Sequence, residues 1–141
     1  MKAFLGVSKK RSLLNLQKGD SSFWCTYPSY DPEIGDVLLL YLSGTTKRGV
    51  HQIYKIRKVD AVPDELHCVA RQMKTVQTTL ISNLDNYVST KQLKTDPVLS
   101  MMGAVGRNFQ STIFKVRPEE WAALAKLISE MNPGMALDLN Q

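Results

Sequence analysis

Gly35-Asp36-Val37-Leu38-Leu39-Leu40-Tyr41-Leu42-Ser43 is the stretch that decides the fold class. Six apolar residues run unbroken from Val37 to Leu42, with Gly-Asp before them and Ser-Gly after. A strand wetted on one side alternates apolar with polar residues, so an unbroken run of this length is a strand buried on both faces. It is far too short to cross a bilayer, which takes roughly 20 apolar residues. Layers of structure must therefore cover it on each side.

The flanking sequence supplies those layers. Downstream, Ser43-Gly44-Thr45-Thr46-Lys47-Arg48-Gly49 reads as a hairpin loop with glycines near both ends. The next strand spans about 50–59 and is broken by Val62-Pro63-Asp64. Residues 66–73, 75–81 and 105–114 are apolar or β-branched enough to be further strands, with short helical turns at 90–93 and 97–102. Arg117-Pro118-Glu119-Glu120 is a strong helix start, because proline suits the first helical position and glutamates suit the first turn. Trp121, Leu124, Ala125, Ile128 and Met131 then fall at helical spacing, which makes Trp121 a core residue. Asn132-Pro133-Gly134 ends the helix, leaving a frayed tail from about 133.

Upstream, residues 3–7 read as a first strand. Ser8 is placed to cap a short helix carrying Leu13, Leu14 and Leu16 on one side. Residues 18–22 form a turn, 23–26 a short strand, and 27–32 a loop rich in tyrosine and proline. Five to seven short strands with a few helices give an α+β class: a curved β-sheet or small barrel flanked by helices, as one domain over residues 1–141. A chain of 141 residues buries about 70% of its unfolded surface, so it needs no metal or disulfide to hold a core.

Catalytic signatures are sparse. His51 and His67 are the only histidines, and His67 beside Cys68 lacks zinc-ligand spacing. No paired-carboxylate motif, phosphate-cradling glycine loop or nucleophile elbow is present. A Cys25–histidine pair would require a geometry that sequence does not supply. Cys25 and Cys68 make no disulfide framework, and both are expected as reduced thiols of a cytoplasmic protein. The apolar stretch after Met1 is too short for a signal peptide. We expect no cofactor, no metal, no membrane partner and a monomer.

Eighteen basic residues against thirteen acidic ones give a net charge of +5, which suits a polyanionic partner. Lys10, Arg11, Lys47, Arg48, Lys55, Arg57 and Lys58 are candidate phosphate contacts, several of them along one hairpin. The five hairpin cations from Lys47 to Lys58 also read as a solvated edge guarded by lysines, and both can hold at once, while Lys10 and Arg11 also read as a solvated helix face. Trp24 is ringed by Ser21, Ser22, Cys25 and Thr26, with Tyr27 and Tyr30 following. An aromatic plane with polar edges suits a flipped-out base, which needs stacking on its face and hydrogen bonds at its rim. A core position is the other reading of Trp24, and the polar neighbours favour the pocket. In 105–114, alternation puts Arg107, Phe109 and Ser111 on one face and Asn108, Gln110 and Thr112 on the other, either of which could meet a base edge.

Taken together, these features resemble the EVE domains of the PUA-like superfamily, over roughly residues 3–130. The pattern is an early strand, a Trp-containing strand, Gly35-Asp36 opening an apolar strand that closes in Ser-Gly, a charged hairpin strand, Arg107-Asn108-Phe109-Gln110-Ser111-Thr112-Ile113, and a helix opening Pro118-Glu119-Glu120-Trp121. Phe23-Trp24-Cys25-Thr26 is more distantly similar to a step of the YTH domains. The resemblance implies a non-catalytic reader of a modified base in DNA or RNA. It makes Trp24 a stacking wall and the Cys25 backbone an edge contact, with Ser8 and Lys9 at the rim. YTH cages use a second tryptophan in mid-domain. None stands there, so Tyr27, Tyr30 or Phe109 would complete the cage. The ASCH relatives on the same scaffold imply an alternative, a small-molecule or RNA-processing hydrolase using a grouping such as Lys9, Thr26 and Glu33.

Overall fold

The computed structural model describes residues 1–60 and 66–135, apart from the side chains of residues 66 and 67. The expected break at Val62-Pro63-Asp64, the side chain of His67 and most of the expected tail lie outside these residues. Six strands form one sheet in the order β2-β5-β4-β3-β1-β6. They are β1 Ala3–Ser8, β2 Ser21–Thr26, β3 Val37–Leu42, β4 Gly49–Val59, β5 Lys74–Ser89 and β6 Ile113–Val116. β1 and β3 run parallel, and the other neighbours are antiparallel.

β3 sits near the middle, and all six of its residues are buried. Alternation splits them between two cores. Val37, Leu39 and Tyr41 share one core with Ala3, Leu5, Leu124 and Ile128, under the helices. Leu38 and Leu40 share the other with Phe4, Tyr54, Ile56 and Trp24, on the opposite face. The unbroken apolar run therefore fills two cores from one strand. β5 is sixteen residues long, and its pairing with β4 shifts register at three places. Such irregularities bend strands, and here they let the sheet curl into a half-barrel. The curl brings the edge strand β2 over β1, where no backbone pairing joins them.

Among the described residues four α-helices accompany the sheet: α1 Leu66–Ala70, α2 Thr90–Thr95, α3 Gly103–Gly106 and α4 Pro118–Met131. Proline opens α4, and Glu120 accepts a bond from the Arg117 backbone N–H at 2.9 Å, as the sequence suggests. Buried Asn132 ties the far end of α4 to β5, accepting from the Asn86 N–H at 2.8 Å and donating to the Asn86 carbonyl at 3.1 Å. Trp121 is half-buried on the flank of the helix-side core, a less interior place than its spacing implies.

Several expectations are corrected. Residues 66–70 form a short helix instead of a strand, and its Cys68 is disulfide-bonded to Cys25 of β2, their Cα atoms 5.4 Å apart. The two cysteines are therefore bonded to each other instead of being reduced thiols. Residues 105–112 are not a strand: α3 is followed by a turn in which Asn108 and Phe109 take left-handed φ of 52° and 57°. The alternating faces expected there do not form, and only residues 113–116 join the sheet, beside β1. Ser8 ends β1 instead of capping an α-helix, and residues 11–15 make a short 3-10 turn with Lys10 in the capping position.

The disulfide closes a long loop, with 43 residues of sequence separation. Loop-closure entropy assigns such a link about 4 kcal/mol. Reduction with a dithiol should lower the unfolding free energy by an amount of that order. Denaturant titration of the oxidised and reduced protein checks it.

Candidate functional site

The seam between β2 and β1 holds an open cleft of about 220 Å³, lined by Val7, Ser8, Lys10, Leu13, Phe23, Trp24, Cys25 and Thr112. Four segments build it, counting Thr112 just ahead of β6. The end of β1 supplies Val7 and Ser8, and the Val7 N–H donates to the Thr112 carbonyl at 2.8 Å, which sets Thr112 on the opposite bank. The 3-10 turn supplies Leu13. Its carbonyl accepts from the amide of fully buried Gln52 at 2.7 Å, and Gln52 also donates to Asn83 Oδ1 at 2.7 Å. Strand β2 supplies Phe23, Trp24 and Cys25.

Trp24 crosses the seam. Its ring lies over Gly6, where a Cβ would come within 2.8 Å of Cζ3. A glycine inside a strand often marks such a close approach, and this was the signal in the sequence for the crossing. The ring meets Tyr54 edge to face at 5.6 Å, and its Nε1 donates to Ser22 Oγ at 2.9 Å. Only 9% of Trp24 is exposed. It is a core residue whose remaining open edge lines the cleft.

The other expected pocket residues scatter. Ser8 and Cys25 line the cleft with Trp24. Lys9 is exposed and is not among the lining residues. Thr26 is fully buried, and its hydroxyl has no hydrogen-bond partner among the described residues. Tyr27 lines an adjacent cleft of about 440 Å³ with Arg71, Met73, Gln110, Ser111 and Thr112, and its hydroxyl meets Ser111 Oγ at 3.2 Å. Tyr30 packs on Phe4 with ring centroids 6.0 Å apart, and burial raises its pKa. Arg107 and Asn108 are exposed on the turn after α3.

Phe109 is removed from the site altogether. It stacks on Tyr41 at 3.8 Å in the helix-side core, across the sheet from Trp24, so it cannot complete a cage there. Sequence reasoning missed Gly6, Leu13, Phe23 and Arg71, and it counted Thr112 only as one face of a strand that does not form.

Cationic side chains divide into two groups. Lys10 lines the cleft, and the Arg11 guanidinium donates to the Thr46 carbonyl in the β3–β4 loop that carries Lys47 and Arg48. That loop adjoins the cleft, because the Ser43 N–H donates to the Ser8 carbonyl at 2.9 Å. Lys55, Arg57 and Lys58 stand at the other end of β4, some 20 Å away at roughly 3.3 Å per residue. They do not form one patch with the first group.

Catalytic groupings fare poorly. Cys25 is bonded to Cys68 and holds no free thiol. His51 stacks on Tyr87, and its Nε2–H donates to the Lys47 carbonyl at 2.6 Å. Burial, reinforced by the charges of Arg11 and Lys47, lowers its pKa and keeps it neutral near pH 7. Glu33 pairs with Lys2, which holds its carboxyl below the usual range. Among the described residues no cluster of His, Cys, Asp and Glu could hold a metal.

Gly6→Ala should push the Trp24 ring out of place and cost about 1–3 kcal/mol, the usual scale of overpacking. The loss should be read by thermal melting and a changed near-UV circular dichroism band. Phe109→Ala should cost about 3–5 kcal/mol from the other core.

Among curated proteins none matches this chain. Among solved structures, a protein of Leishmania major aligns with TM-score 0.73 at 18% identity, covering 92% of this chain and 96% of that one. Human THYN1, solved in complex with 5-methylcytosine-containing DNA, aligns with TM-score 0.69 at 15% identity over 91% and 98%. An ASCH protein of Zymomonas mobilis aligns with TM-score 0.56 at 13% identity over 90% and 99%. These likenesses establish the PUA-like α+β fold. Residues 2–127 match the EVE domain model, and with its curled sheet and Trp-lined seam the chain belongs to the EVE domain family.

Proposed function

We propose that residues 1–141 act as one non-catalytic module that binds nucleic acid and receives a single modified base in the seam cleft. The observation that carries this reading is the cleft's make-up: an aromatic edge from Trp24 and Phe23, apolar walls from Val7 and Leu13, and polar atoms from Ser8, Lys10 and Thr112. At about 220 Å³ the cleft is smaller than the roughly 300–1,000 Å³ of drug-sized ligand sites, and it suits one planar ring. The cations Lys10, Arg11, Lys47 and Arg48 beside it supply attraction for the backbone. The 5-methylcytosine DNA seen with human THYN1 supports the same class of ligand.

A flipped base loses a few kcal/mol of stacking and pairing, which an aromatic wall and rim hydrogen bonds offset. The hydrolase alternative, on the ASCH scaffold, calls on Lys9, Thr26 and Glu33. Thr26 is sealed from solvent and Glu33 is committed to Lys2, so this grouping has little to work with.

Fluorescence anisotropy with modified and unmodified oligonucleotides across a salt series tests the proposal. Affinity should fall steeply with salt, and the modified strand should bind more tightly. Salt-indifferent or undetectable binding would refute it. Trp24→Leu should weaken modified-strand binding by about 1–3 kcal/mol, five- to 150-fold, and narrow the preference between strands. Because Trp24 is also core, its thermal stability should fall as well, and binding is to be measured well below the melting temperature. Ser8→Ala removes a rim hydroxyl and the exposed bond that it accepts from the Lys10 N–H at 3.1 Å, and should cost about 0.5–1.5 kcal/mol of binding with a much smaller fall in melting temperature than Trp24→Leu.

A further inference from the structure

Resting on that reading, we infer that the second cleft, beside the seam, seats the phosphodiester that joins the bound base's nucleotide to its neighbour, with Arg71 as the phosphate contact. The two clefts share Thr112, so the second lies directly beside the first, within reach of the backbone of a nucleotide whose base sits there. The Arg71 Nη1–H donates to Thr112 Oγ1 at 3.0 Å, which aims the guanidinium at that shared bank. A guanidinium has five N–H donors, and this is its one side-chain hydrogen bond among the described residues. Among the described residues no carboxylate lines the cleft and Arg71 makes no ion pair.

The position of Arg71 is set from β2 itself. The Cys25–Cys68 disulfide anchors α1, and the Arg71 and Met73 N–H groups both donate to the Cys68 carbonyl, at 3.2 and 2.8 Å. Cys25 lines the first cleft, so a single covalent link fixes the spacing between base wall and guanidinium. Tyr27, Ser111 and Gln110 complete a polar surround fit for a phosphate and its sugar. Planar, bidentate recognition of a phosphate is what arginine does better than lysine.

The test uses the oxidised full chain and a modified single-stranded oligonucleotide. Arg71→Gln should reduce affinity about tenfold and flatten the salt slope by about one unit, with an unchanged melting temperature. Arg71→Lys should restore the slope but only part of the affinity. A neutral methylphosphonate, placed in turn at each linkage flanking the modified base, should weaken wild-type binding at one linkage and leave Arg71→Gln indifferent there. Wild-type binding with an unaltered Arg71→Gln slope, or equal methylphosphonate sensitivity in both proteins, overturns this assignment and spares the base-binding reading. No binding by the wild type overturns both.

Discussion

The packing of Trp24 across Gly6 is the contact on which the rest of the molecule turns. The six-stranded sheet curls but does not close by strand pairing, because its edge strand β2 pairs only with β5 and neither with β1 nor with the other edge, β6. Side chains close it instead: the Trp24 ring on the bare backbone of Gly6, Tyr30 on Phe4, and the Tyr27 hydroxyl on Ser111. A seam closed by side chains is looser than a strand ladder, and the clefts lie along it. Most of the Trp24 surface is spent on holding the half-barrel together, and only an edge is left for a ligand.

That economy ties the shape of the cleft to the stability of the fold. A fully exposed stacking platform can be cut away with little effect on the fold, whereas Trp24 cannot. Its indole N–H is satisfied by Ser22, and its ring is wedged against Tyr54, so its orientation is determined before any ligand arrives. Buried Gln52 does the same for the opposite bank by binding the Leu13 carbonyl. Both walls are thus positioned by groups that no ligand in the cleft would touch. Rigid placement of this kind lowers the ordering cost of binding.

The disulfide adds a second constraint from outside the sheet. It ties a short helix to the strand that carries Trp24, and through it fixes the segment leading to Arg71. Charge is distributed accordingly. Lys10 and the neighbouring hairpin cations flank one side of the seam, Arg71 stands on the other, and Lys55, Arg57 and Lys58 are remote from the first group along β4.

Much was legible in the residues alone. The unbroken run from Val37 to Leu42 announced a strand buried on both faces, and it is one, feeding two cores by alternation. The proline and glutamates at the start of α4, and the Trp-bearing strand near a polar rim, were equally plain, because they depend on local rules of capping and period. Where the sequence misled, distant contacts won. Residues 66–70 look extended but form a short helix linked to β2, where Cys68 meets Cys25 across 43 positions. Phe109 looks like a pocket aromatic, yet a left-handed turn carries it onto Tyr41 on the other side of the sheet. Which side of a curled sheet a side chain reaches, and which strands meet at its seam, are properties of closure. By itself the sequence determined the elements and their apolar faces; only the tertiary structure decided that Gly6, Trp24, Thr112 and Arg71 share one seam, because no local pattern encodes how far a sheet bends.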